Sequence, residues 1–245
     1  MEVHHHAHTS RKRWTHYFWE FLMLFLAVFC GFLAEYQLEH KIEKSREKQY
    51  IRSFIEDLEA DSTTLTERMN YCDLTIQRAD SVITVLTHPD LNSMAGEVYY
   101  FLRWLHRSDV FTINDRTIVQ LRNAGGMRLV TKKEVSDSIT SYYKEVEHIN
   151  FIYDEQLEFR RSIRPFLGKI LNGVDYGKSV DLQNNVIRPV EAVKLRSADP
   201  ETINTLILLL NNIKGINYGL RRRMQGLITR GDTMREFIAH EYRLN

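Results

Sequence analysis

Apolar residues fall into two arrangements along this chain: one unbroken run near the amino end, and after it long stripes spaced by alternating steps of three and four. The run is Phe21 to Ala34 (FLMLFLAVFCGFLA), and it begins eight residues after the basic triplet Arg11-Lys12-Arg13. By itself it is short for a membrane span and suits a signal-peptide core or a buried helix. Extended back over Tyr17, Phe18 and Trp19 it carries a single charge, Glu20, and reaches about 27 Å at 1.5 Å per residue, which just crosses a bilayer. Trp14, Tyr17 and Trp19 on one side and Tyr36 on the other sit where interfacial aromatics belong. A cleaved signal needs small residues at its cleavage site, but bulky Phe32 and Leu33 stand there. Phe29, ahead of Cys30, is too large for lipoprotein processing. The pattern predicts an uncleaved transmembrane helix over 17–36.

No glycine or proline interrupts the chain from Phe32 to His88. Residues 37–49 are mostly charged, with Leu38 and Ile42 as their apolar members, and predict a polar helical stalk of about 20 Å. From there Ile51, Ile55, Leu58, Ser62, Leu65, Met69, Cys72, Ile76, Ala79, Ile83 and Leu86 form a heptad stripe with one hydroxyl in it. After the turn at His88-Pro89-Asp90, Ser93 is placed to cap a short aromatic helix (Val98, Tyr99, Tyr100, Phe101, Trp104, Leu105). Asn114 is placed to cap a second, over 115–123, which Gly125-Gly126 would end in a left-handed C-cap. Thr131 and Glu134 have capping-box spacing and open a long helix with Val135, Ile139, Tyr142, Val146, Ile149 and Tyr153 on one face, ending near Pro165.

Residues 167–198, with Gly168, Gly173, Gly177 and Pro189, hold no sustained period and predict an irregular loop; one that long in a helical domain is functional or disordered. Asp199 as cap and Pro200 at the first helical position announce the last helix. Its stripe is Ile203, Leu206, Leu210, Ile213, Asn217, Leu220, Met224, Leu227, Gly231, Met234 and Ile238. Gly215, Gly219, Gly226 and Gly231 predict either a kink near 215–219 or close helix approach. The expected fold is all-α: one N-terminal transmembrane helix, then an elongated antiparallel helical bundle over 50–245 with coiled-coil-like seams.

Composition then narrows the function. A net charge of +1 over 245 residues gives no electrostatic reason to expect nucleic acid. Cys30 lies in the span and Cys72 on a helical stripe, so no intrachain disulfide framework is available. Lysines and arginines near the span ends almost balance, three before it against Lys41, Lys44, Arg46 and Lys48 after it. The three upstream are contiguous and close, and the 1–16 tail carries no export signal. The expected topology is a cytoplasmic N-terminus and a periplasmic C-terminal domain in a bacterial inner membrane.

The opening Met1-Glu2-Val3-His4-His5-His6 followed by His8, the span pattern Leu22-Met23-x-Phe25-Leu26-Ala27-Val28 with Gly31-Phe32-x-Ala34-Glu35, and the segment from Leu121 to Val130 (LRNAGGMRLV) together resemble a family of small bacterial single-span membrane proteins of unknown function. The resemblance extends over most of the chain. It implies membrane residence, and it supplies no catalytic residues.

Candidate chemistry is sparse. His4, His5, His6 and His8 are a candidate divalent-metal site by ligand type, although a tail offers no fixed geometry. Glu145 and His148 have the spacing of half a di-iron site, but Glu236 and His240 are four apart and fail to give the second half. Residues 173–179 (GVDYGKS) are one residue short of a phosphate loop and follow no apolar strand. With no Zn-protease, nucleophile-elbow or Cys-x-x-Cys pattern, the chain reads as a non-enzyme.

Glu20 is the costly charge of the span, and His16, four residues earlier, is placed to pair with it. The expected role is a membrane-anchored scaffold or accessory module. Its candidate contact residues are Trp104, Asn217 and the loop 167–198, and its partners are the bilayer and either a protein or further copies of itself. The alternative is a subunit of an oligomeric pore with Glu20 facing the axis.

Overall fold

The computed structural model describes residues 14–107, 113–123 and 125–244. The protein is all-helical, 81% helix with no strand among the described residues. It separates into two compact units, Met1–Gln49 and Tyr50–Asn245. In chain order the helices are α1 (Trp14–Leu86), α2 (Ala95–His106), α3 (Arg116–Asn123), a 3-10 turn (Gly126–Leu129), α4 (Lys133–Ser162), α5 (Arg164–Ile170), α6 (Gly173–Gly177) and α7 (Pro200–Tyr242).

Within the first unit α1 carries the one stretch, among the described residues, that is long and apolar enough to cross a membrane, and none of that stretch is buried. Its large side chains, Phe21, Met23, Leu24, Phe25, Val28 and Phe32 among them, are exposed. Phe21, Phe25 and Phe29 stack along the helix at 6.3 and 5.9 Å.

In the second unit the rest of α1 packs with α4 and α7 around two apolar clusters. One joins Ile51, Phe54, Leu58 and Leu65 to Ile118, Leu121, Ile139, Tyr142, Met224 and Ile238. The other joins Ala79, Val82 and Leu86 to Val98, Leu102, Ile163, Ile170, Leu206 and Leu210. Cross-helix contacts fix direction. Glu59, Asp73 and Asp80 of α1 pair with Arg235, Arg221 and Lys214 of α7, so those two helices are antiparallel. Asp61 and Thr75 of α1 instead meet Tyr142 and Arg160 of α4, so α1 and α4 run the same way. The expectation of an all-antiparallel arrangement is corrected here. Arg107 O accepts from Tyr71 Oη, and Asn114 N donates to Asp61, nearer the start of α1.

The stripe on α1 is also displaced from the expected one. Ile51, Phe54, Leu58, Asp61, Leu65, Arg68, Cys72, Thr75, Ala79, Val82 and Leu86 are buried, whereas Ile55, Ser62, Met69 and Ile83 are only partly covered. At alternate positions the buried face is shifted back by one residue, about 100° around the helix, because Asp61, Arg68 and Thr75 occupy interior positions that an apolar pattern passes over; Ile76, on the expected stripe, is buried as well.

Helix ends follow local chemistry. Asp199 caps α7, its carboxylate accepting from Thr202 N at 2.8 Å, with Pro200 in the first turn. Gly125, at φ 62°, takes the left-handed conformation after α3 that a side chain would strain. Asn114 Oδ1 accepts from Arg116 N at 3.2 Å. Two expected caps are replaced. Ser93 turns back to Asp90 O at 2.8 Å, and α2 begins after Met94. Lys132 is the N-cap of α4, without a side-chain cap bond, and its ammonium reaches Glu241 at 2.6 Å. α7 is a single helix through Gly215 and Gly219. Only at Gly231 do neighbours come close: an added Cβ would meet Tyr142 at 3.6 Å and Leu58 at 3.8 Å, and at Gly215, Gly219 and Gly226 it would meet open space.

Candidate functional site

The expected polar pair of the apolar helix forms within α1: His16 Nε2 lies 3.1 Å from Glu20 Oε1, one turn on. His4, His5, His6 and His8 lie outside the described residues. Among the described residues no group of three or more His, Cys, Asp or Glu side chains is arranged to hold a metal.

Residues 167–198 take in the end of α5, the short α6 and the isolated bridges Leu171 to Leu195 and Val180 to Val186, and form no helix or extended strand over 178–198. Polar contacts rather than a periodic apolar face hold the segment. Asn172 caps α6 by accepting from Val174 N at 2.9 Å. Tyr99 of α2 accepts from Asn172 N at 2.7 Å and donates to Lys194 O at 2.9 Å. Arg196 N donates to Ile170 O at 2.8 Å, and Arg188 binds Glu97 at 2.6 Å while lying over the Tyr100 ring. Lys178 sits between Asp175 and Glu191, 3.0 Å from each. On this docked segment Val174, Leu182 and Val190 are 80%, 101% and 95% exposed. Leu182 stands in a turn fixed by Asp181, which accepts from Gln183 N and Asn185 N.

Trp104 faces its own chain more than solvent. It is half-buried, with the Arg78 guanidinium 4.1 Å from its ring centre. Asn217 is fully buried: its Oδ1 accepts from Gln156 Nε2 and its Nδ2 donates to Ile213 O, both at 2.7 Å. Its place as a contact for an outside partner is therefore corrected; it is an interior link between α4 and α7.

Two buried polar centres escaped the sequence reading. In one, Arg160 donates to Tyr71 Oη at 3.1 Å, to Thr75 Oγ1 at 2.9 Å and to Arg107 O. Arg68 lies between the Tyr71 and Tyr153 rings at 4.5 and 4.4 Å. Cys72 sits in the same region, and burial pushes its thiol up to about 11 despite the two arginines. It stays protonated near neutral pH and is not an activated nucleophile. In the other centre Asp57 and Asp61 hold the lead-in to α3, and Tyr142 and Tyr143 close over them. The polar letters of α1, spaced by seven at Asp61, Arg68 and Thr75, were the available signal.

An open groove of about 720 Å³ runs between α4 and α7, lined by Ser138, Ser141, Gly226, Thr229 and Thr233, with Arg230 reaching Ser141. It brings no set of convergent catalytic groups together.

Comparison with protein-family models, with curated proteins and with solved structures finds no match to this chain.

Proposed function

We propose that this protein is a membrane-anchored, non-catalytic helical scaffold or accessory module. The observation that carries the reading is the span itself: an apolar helical stretch with no part of it covered by protein, a surface that only lipid or another helix satisfies. In this reading the N-terminus is cytoplasmic and residues 50–245 lie outside a bacterial inner membrane. They form an elongated helical bundle with coiled-coil-like seams.

The contact surface for a protein partner is the docked segment after α5. Val174, Leu182 and Val190 are exposed on this segment, and apolar side chains held in water are available to a partner. Crosslinking in native membranes followed by mass spectrometry tests this. Leu182→Asp combined with Val190→Asp abolishes the crosslinks if the reading holds and leaves the fold intact; unchanged crosslinks exclude this surface.

A second reading, self-assembly of the span into a pore, is favoured by how its side chains segregate. At 100° per residue, His16, Glu20, Leu24, Ala27, Gly31 and Ala34 fall on one side of α1 and Phe18, Phe21, Phe25, Phe29 and Phe32 on the other. Small residues permit close helix approach and a carboxylate prefers the protein side of a span. Glu20→Gln in reconstituted liposomes discriminates: loss of cation flux supports the pore, and absence of flux from the unaltered protein excludes it.

A further inference from the structure

α3 has no acidic residue in its own first turn; its start is held by carboxylates from α1 instead. Asp57 accepts from Thr117 N at 3.1 Å, Asn114 Nδ2 at 2.7 Å and Arg116 Nη2 at 3.1 Å. Asp61 accepts from Asn114 N at 2.9 Å and, from the other side, from the Tyr142 hydroxyl at 2.9 Å. The two carboxylates are one helical turn apart and each is 1% exposed. Arg116, the cation bonded to Asp57, is itself mostly in solvent. Asp115 adds a further negative charge nearby, α4 presents Tyr142 and Tyr143, and α7 meets this level with uncharged Gly231. Thr117 Oγ1 is buried there with no hydrogen-bond partner among the described residues, and Tyr143 Oη is buried beside the Ile118 amide. The centre thus sets two buried acids against one outlying cation, which leaves it short of positive charge.

We propose that Asp57 and Asp61 act as a proton-operated latch on α3, tight when the pair carries one proton and looser when both carboxylates are charged. A proton on Asp61 removes the repulsion with Asp57. Loosening uncovers Ile118 and Leu121, the buried face of α3.

The sign follows from burial. Desolvation is the main cause lifting Asp61 from 3.8 to about 6, with Asp57 and Asp115 adding to it and the bonds from Asn114 and Tyr142 opposing. The latched state therefore binds more protons than the open one. Holding is full below about pH 4, weakens as pH rises towards 6 and is constant above it.

Hydrogen exchange of the amides in 114–123, measured by mass spectrometry on the full chain in lipid nanodiscs from pH 4 to 8, tests the latch. After correction for intrinsic exchange, protection falls by at least tenfold across this range and by up to about 100-fold if the whole shift of roughly two units is expressed in local opening. Asp61→Asn removes the pH dependence. Tyr142→Phe, which deletes a donor to the charged form, moves the inflection to higher pH. A flat profile in the unaltered protein, an unchanged slope in Asp61→Asn, or an unmoved inflection in Tyr142→Phe overturns the proposal.

Discussion

Asn217 and Gln156 are the residues whose removal discriminates best between an interior link and a surface contact. Asn217→Ala leaves the Gln156 amide buried without its acceptor, so it costs about 2 to 3 kcal/mol of stability in chemical denaturation. Changing both to leucine costs less than the sum of the single changes, because no orphaned amide remains. Arg160 gives a parallel case. Its guanidinium is held by neutral oxygens of Tyr71, Thr75 and Arg107, and Arg160→Met is better tolerated than Arg160→Ala by about 2 kcal/mol, since methionine fills the volume with no charge to solvate. Thermal unfolding of the two variants side by side reads the difference. These partners come from residues 53 to 89 positions away in the chain, which is why a polar letter in the stripe of α1 or α4 did not announce itself as interior. The His16–Glu20 contact was legible because both members lie on one helix turn.

Among the elements, α7 was the most legible. Its cap, its opening proline and almost all of its apolar positions specify the same helix face, and those positions from Leu206 to Ile238 are buried. α1 was legible as a helix but not in the orientation of its stripe, because the positions of Asp61, Arg68 and Thr75 were passed over in favour of their apolar or smaller neighbours. The segment after α5 was not legible as structure, since side-chain bonds from Tyr99, Asn172 and Arg196 order it and leave no period to read. The glycines of α7 separate two physical roles. Gly215→Ala and Gly219→Ala each add about 0.5 to 1 kcal/mol of stability, because a methyl there enters open space and favours helix. Gly231→Leu loses about 1 to 3 kcal/mol through overpacking against Tyr142 and Leu58. Melting temperatures of the three variants in one buffer check both signs.

For the whole molecule the decisive contrast is between an amino-terminal helix with nothing covering its apolar side chains and a second unit that buries its own. In the proposed reading the apolar stretch holds the chain to the bilayer, since a near-neutral net charge gives no general attraction to an anionic lipid surface. The central claim is tested most directly by washing membranes of expressing cells with alkaline carbonate and following the full-length chain and a variant lacking residues 14–36. The account predicts that the full-length chain stays in the membrane pellet, uncut, while the shortened variant moves to the supernatant. Recovery of the full-length chain in the carbonate supernatant, or of a mature product beginning after Ala34, contradicts it.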